Sequence, residues 1–429
     1  MITNNTTPIK INDPMYFNLF SNLQGNILKP HGRTFSNHIF ITFKNDKVEE
    51  AKAFIASLAE NKITYFHKQI EQHEEFNKNN IDKKTFCNIY FTALFYKYLG
   101  ENMKQHFEAS FTNQMKEADL NDSPVDASWN NIHIMILVAN ADEKIIEEET
   151  KVILDTISDL IIKSFVEKGN KLKINREISD KEHFGYKDGI SNPIFLDENK
   201  RDINYFDDFA PLALALVQDP FVTNPDAYGS YLVFRKLEQN VNLFKKIEDE
   251  IEKKFEIDGG ALLIGRFENG VPVVLSNDVE SNTEMNDFDF TNDITGSKCP
   301  MHAHIRVTNP RDDSSKSHRI IRRAIPYGDY IDKPEPKPTK GVGLLFMCFQ
   351  SSIANQFEFI QKNANSINQF DSIIGQNNSD INTFSFAKIY GDPTSLCNYD
   401  IPKLVTFKGG EYFFAPSKPY LNGLKNSLV

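Results

Sequence analysis

The stretch HFGYKDGISNPIF (His183 to Phe195) sets one carboxylate, Asp188, between Gly185 and Gly189. Glycines accept positive φ and close backbone approach, so the segment reads as a tight, ordered loop that presents Asp188. Taken alone it also fits an ordinary turn with a solvated Asp. A second stretch, CPMHAHIRVTNPR (Cys299 to Arg311), carries His302 and His304 two residues apart. On a strand the two imidazoles would share a face and could hold a metal together, whereas on a helix they would diverge.

Arg306, Arg311, Arg319, Arg322 and Arg323 follow within residues 306–323 of an otherwise acidic chain. Such an island of guanidinium groups suits a buried dianionic ligand. Haem fits the combination, because its two propionates need cations while its iron needs one neutral imidazole. A phosphate ligand would use the arginines but leave the histidine without a role. The plain structural alternative is a surface network with Asp312 and Asp313, which is worth little energetically.

The elements that must position these groups come from hydrophobic periodicity. HIFITF (His38 to Phe43) alternates like a strand, and DKVEEAKAFIASLAEN after it has apolar residues at helical spacing. NIHIMILVAN reads as a strand, EKIIEEETKVILDTISDLIIKSF as one long amphipathic helix and KLKINREI as a closing strand. Residues 200–228, rich in Asp, Pro and Asn, predict an irregular connection. Beyond them YGSYLVFRKL is a strand, LEQNVNLFKKIEDEIEKKF a charged helix, and KGVGLLFMCFQ a nearly continuous apolar strand running into the helix SSIANQFEFIQKNA. Both halves mix strands and helices in similar order with no Gly-rich phosphate loop, which predicts an α+β fold of two related open-sheet domains.

At 429 residues the chain is long for one core, since cores stop growing near ~250–300 residues. Two domains are expected, residues 1–185 and 186–429. The net charge of −11 argues against a nucleic-acid partner, because such affinity rests on basic surface. Cys87, Cys299, Cys348 and Cys397 are widely spaced with no CxxC pair, so reduced thiols are expected rather than a zinc or disulfide framework. Neither a secretory leader nor an apolar span is evident, so no membrane partner and a cytoplasmic location are the expectation.

LQGNIL (Leu23 to Leu28), FGYKDGISNP, CPMHAHIRVTNPR, RRAIPYG (Arg322 to Gly328), GLLFMCFQ, DSIIGQ (Asp371 to Gln376) and GGEYFFAPS (Gly409 to Ser417) resemble, in order, the signature segments of the dye-decolorizing peroxidases. The resemblance spans nearly the whole chain. It implies two ferredoxin-like domains with antiparallel sheets and peripheral helices, in a dimeric α+β barrel-like arrangement, with haem b held mainly by the C-terminal one. It implies oxidation of phenolic, aromatic or dye-like donors by hydrogen peroxide through a ferryl intermediate.

Residue by residue, His304 matches the axial iron ligand, Asp188 the distal acid–base group and Arg322 the distal arginine. Asp371 matches the carboxylate that accepts the other N–H of the ligating imidazole, a bond that pushes electron density toward iron. Arg306 and Arg311 are the expected propionate partners. Gly189, Ile190 and Ser191 are expected to line the ring, and Leu344 and Phe346 to wall the distal pocket. Tyr327 resembles a surface relay for electrons, while Trp129, the single Trp, reads as packing. Two departures from the family pattern are the extra His302 and Ala324, where many members carry Gly. A haem-binding or haem-transfer protein of the same fold is the main rival, and a hydrolase using His302 and His304 as paired metal ligands is a third reading. The natural donor, a homo-oligomeric state and a shell partner are left open.

Overall fold

Alternating side chains decide the two faces of the first strand, β1 (Phe35–Phe43). Ile39, Ile41 and Phe43 join a core shared with the helix Val48–Asn61, while Phe40 points into a second core on the other face. The computed structural model describes residues 7–425 apart from 80–83, 123–124, 176, 198–208, 279–285, 330–335, 367–369 and 378. β2 (Phe86–Phe91), β3 (Ile134–Asn140), the helix Glu143–Thr156 and β4 (Ile161–Asn170) complete the first half. Its strands lie in the antiparallel order β4-β1-β3-β2.

The long helix expected over EKIIEEETKVILDTISDLIIKSF is a helix and a strand. It ends at Thr156, and IIKSF opens β4, where Val166 pairs with Ile39 and Ser164 with Ile41. Ladder bonds to β1 and the β-branched Ile161–Ile162 pair outweigh the helical spacing of the apolar residues. KLKINREI is likewise a two-residue hairpin, β5 (Lys173–Ile174) and β6 (Glu177–Ile178), turning at Asn175 with φ +52. Of the stretch 200–228, residues 200–208 lie outside the described residues; the rest holds a 3-10 turn at Leu212–Leu214, the short β7 (Val217–Gln218) and a turn closed by the Ala227 N–H on the Asn224 carbonyl.

The second half repeats the plan with β8 (Tyr228–Gln239), the helix Val241–Phe255, β9 (Ile321–Arg322), β10 (Ile325–Tyr327), β11 (Gly343–Gln350), the helix Phe359–Ala364 after a π-helical turn, and β14 (Val405–Ala415). A separate hairpin, β12 (Ile381–Ala387) and β13 (Leu396–Pro402), precedes β14. Read in reverse, the order β10-β11-β8-β14 reproduces that of the first half: counting β8, β10, β11 and β14, each half has its first and third strands in the middle. β14 meets β2 at Phe414 and Phe91, joining the two four-strand sets into one sheet. That sheet curls until its edges touch: a Cβ on Gly169 of β4 would lie 2.4 Å from Ile325 of β10. Phe40, Leu137, Leu232, Phe234, Leu345 and Phe413 fill the enclosed space. Trp129 stacks on Phe234 and abuts Phe40 and Phe165 in this core, the packing role expected for it.

Candidate active site

Asp188 stands on a loop whose shape is fixed from its base. Lys181 and Lys187 form an isolated antiparallel bridge, and the Asp188 N–H donates to the Asp180 carbonyl at 3.0 Å. Between them the Glu182 carboxylate accepts from the N–H groups of Phe184 (2.9 Å) and Tyr186 (3.0 Å), and burial pushes its own carboxyl above the ordinary range. Gly185 and Gly189 take φ values of +103 and +83, the left-handed region that favours glycine. Asp188 Oδ1 accepts from its neighbour's N–H at 2.6 Å and from Arg322 Nη1 at 2.8 Å. Arg322 arrives from β9, and the next residue points the other way. Arg323 donates to the carbonyls of Asn26 (2.7 Å) and Ile27 (2.8 Å), tying LQGNIL to the strand that bears Arg322.

His302 and His304 do not share a strand. The chain turns at Pro300–Ala303, and His304 opens the short helix His304–Thr308. The rings diverge: His302 packs between Phe384 and Phe386, both at 4.6 Å, where burial pulls it down to about 3. His304 Nδ1 lies 2.9 Å from Asp371 Oδ2. The other Asp371 oxygen accepts from the N–H groups of Ile373 (2.7 Å) and Ile374 (2.9 Å). Asp371 is thus both a turn cap and an imidazole partner, one oxygen to each. A carboxylate beside Nδ1 assigns the proton there and the lone pair to Nε2. No group of three or more His, Cys, Asp and Glu among the described residues is placed to hold a metal ion.

His304, Asp188 and Arg322 line one cleft of about 1650 Å³, mouth included. Its sheet side carries Arg235, Leu237 and Gln239 of β8 and Leu344 and Phe346 of β11, with Gly189, Ile190 and Ser191 beside Asp188; its other side carries Ile305, Ile360, Ile373 and Ile374. Leu344 and Phe346 face the cleft because they alternate with Leu345 and Met347, which fill the sheet's interior. Arg311 is at the cleft, held by Asn286 and stacked 3.7 Å over Phe288. Arg306 is turned elsewhere. It is absent from the cleft lining, and its guanidinium donates to Asp293 Oδ2 (2.9 Å) and to the carbonyls of Cys299 (2.7 Å) and Asp293 (2.6 Å). On a helical turn, two residues from His304 is the opposite side.

Arg266 stands at the cleft wall instead, and sequence reasoning passed over it. Arg266 and Arg311 converge on Asn286 Oδ1 at 2.7 and 2.6 Å and on Ser191 Oγ at 3.0 and 3.1 Å. Burial, then the charges of Arg311 and Arg322, push Arg266 down to about 9, and burial brings Arg311 to about 10. An anion placed against this pair would relieve both effects. A largely apolar cleft, a cationic end at Arg266 and Arg311 and an imidazole with a lone pair fit a haem. Tyr327 is buried within the sheet's core, not at the surface, and its hydroxyl meets no partner among the described residues.

His304, backed by Asp371, and the Asp188–Arg322 pair share one cleft in a curled sheet of two ferredoxin-like halves, which defines an α+β protein with a single candidate site among the described residues. The profile of the C-terminal part of Dyp-type peroxidases matches residues 179–378. The structure of a DyP-type peroxidase from an Anabaena species superposes with a TM-score of 0.91 at 35% identity, covering 98% of each chain. That of DyP2 from an Amycolatopsis species gives 0.88 at 32% identity, covering 98% of this chain and 100% of that one. The chain belongs to the dye-decolorizing, or DyP-type, peroxidase family. In sequence, the multifunctional dye peroxidase DyP2 is 40% identical over 283 residues, 57% of this chain and 61% of that protein. The chain thus spans about three fifths of that curated relative, and similar or smaller shares of the next two. No helix among the described residues is long and apolar enough to cross a membrane.

Proposed function

We propose that the protein is a haem b peroxidase that uses hydrogen peroxide to oxidise small phenolic, aromatic or dye-like donors. The observation that carries this is the 2.8 Å Asp188–Arg322 pair lining the same cleft as His304, whose Nδ1 is held from behind by Asp371. His304 would hold the iron through Nε2, with Asp371 fixing the ring, and Arg266 and Arg311 would take the propionates. Haem, when bound, would supply the redox centre that gives two electrons to peroxide and regains them from the donor one at a time.

The chain's own residues then have separate tasks. Asp188 would accept a proton from one oxygen of the peroxide and deliver it to the other, which leaves as water. Arg322 keeps that carboxylate pointed into the cleft and stabilises negative charge as the O–O bond breaks. Leu344, Phe346 and Ile190 exclude water and bulky reductants from this side. A haem carrier would need neither Asp188 nor Arg322 in the cleft.

The test is the absorption spectrum of protein purified with adequate haem, before and after one equivalent of peroxide and then a phenolic donor. A Soret band that shifts with peroxide and returns with donor is expected. A band indifferent to peroxide would favour the carrier, and failure to take up haem would overturn the reading altogether.

A further inference from the structure

We propose that Asn192 is a positioning residue that sets the contact between Asp188 and Arg322, a role that rests on the peroxidase reading of the site. The two side chains come from distant parts of the chain, and something must hold their backbones in register. β9 is fixed on one side by its ladder with β11, where Arg322 pairs with Cys348 and the Arg323 N–H donates to the Met347 carbonyl at 2.8 Å. On the other side no strand follows among the described residues. Asn192 takes that place: its Oδ1 accepts the Arg322 N–H at 2.9 Å, and its Nδ2 faces the Arg322 carbonyl at 3.4 Å. The same Nδ2 lies 3.5 Å from the Gly189 carbonyl, so one carboxamide bridges the acid's loop to the arginine's strand.

The neighbouring residues show why this bridge matters. Ser191 ties the loop directly to Asn286, Arg266 and Arg311, which places the loop against the cleft but not against β9. Among the hydrogen bonds of the described residues, residues 188–192 reach β9 only through Asn192 and through the Asp188–Arg322 pair itself. Both partners of that pair keep 27% of their side-chain surface exposed, and a wet ion pair does not by itself hold two long side chains in one geometry. The carboxamide bonds backbone to backbone position and leaves the charged groups free to react.

The test is a double-mutant cycle on the haem-loaded full chain: wild type, N192A, D188N and the double variant, read by stopped-flow reaction with peroxide. N192A is expected to lower the second-order rate about ten- to a hundred-fold, the scale of a displacement near 1 Å at a reacting group. It is expected to cause no further loss once Asp188 is Asn. Cyanide binding, followed by absorption, gives a readout apart from turnover, since the acid must shed its proton to Asp188; it should weaken in N192A and show the same non-additivity. Equal loss in both backgrounds, or no loss in N192A, would overturn the proposal. Should alanine prevent folding, Asn192→Ser serves the same cycle, its hydroxyl being too short to span the N–H and carbonyl of Arg322. A wild type that binds haem but ignores peroxide overturns the peroxidase reading instead, and an additive cycle in a reactive wild type overturns Asn192 alone.

Discussion

Asp371→Asn keeps the number of heavy atoms in the side chain, yet it should switch the proton on His304 of the apoprotein. Asp371 accepts three hydrogen bonds in a site that is 1% exposed: one from His304 Nδ1 and two from the N–H groups of Ile373 and Ile374. An asparagine has one oxygen for them. If its NH2 turns toward the two amides, two buried donors lose their acceptor at ~1–3 kcal/mol each. The oxygen therefore stays with the amides and the NH2 faces Nδ1, which must become the acceptor. In the apoprotein the imidazole proton then sits on Nε2, and binding iron there forces it back to Nδ1, against the Asn NH2.

What is lost is a hydrogen bond to a charged group, worth ~1.5–3 kcal/mol, or about 10- to 150-fold in the stability of the ferric, histidine-bound form. At 59 mV per tenfold for one electron, the potential should rise by roughly 65–130 mV. The assay is spectroelectrochemical titration of the haem-loaded variant beside a haem titration of the apoprotein. A potential moved by less than about 20 mV, a third of one tenfold step, together with unchanged haem affinity, would refute the assignment of Asp371 to the imidazole.

Asp188→Asn should leave haem bound while slowing the peroxide step by ~10²–10⁴-fold; unchanged stopped-flow kinetics would remove it as the proton shuttle. Arg306→Met should act on folding, because it strands the Asp293 carboxylate in a site where that side chain is 1% exposed, at a loss of about 3–5 kcal/mol. Its folded fraction should keep the wild-type Soret band, and weaker haem binding at unchanged melting temperature would return Arg306 to the ligand. Glu411 is buried on β14, accepts from the N–H groups of Met115 and Tyr412, and has its carboxyl pushed by burial from 4.5 up to about 7. Because the folded state holds that proton more tightly than the unfolded state, stability falls as pH rises from about 4.5 through about 7. Glu411→Gln keeps the accepting oxygen, so it should match wild type near pH 5 and exceed it by about 2–4 kcal/mol at pH 8; equal denaturation midpoints at both pH values would count against that titration.

Periodicity found most strands and helices, and it failed where local and tertiary signals conflict. Apolar residues from Glu143 to Phe165 satisfy a helical repeat throughout, but IIKSF has β1 to pair with, and that ladder is a nonlocal fact. The site was legible in part. Asp188 announced itself through Gly185 and Gly189, because a positive φ leaves a mark in residue type. Arg306 looked equivalent to Arg311 in charge and closeness to His304, yet a helical turn carries it to Asp293. Arg266 and Asn286 left no such signal, since each becomes part of the site only when distant segments converge.

By itself, then, the sequence determined the chemical inventory: a carboxylate held between glycines, an imidazole, a run of arginines, and alternating strands able to wall a cleft. Only the tertiary structure decided which members meet. It gave His304 rather than His302 to the cleft, one Asp371 oxygen to each of two duties, and Arg266 in place of Arg306 beside Arg311. The physical reason is that residue type and local spacing fix backbone preference and charge, whereas the direction of a side chain depends on which element carries it and what that element packs against.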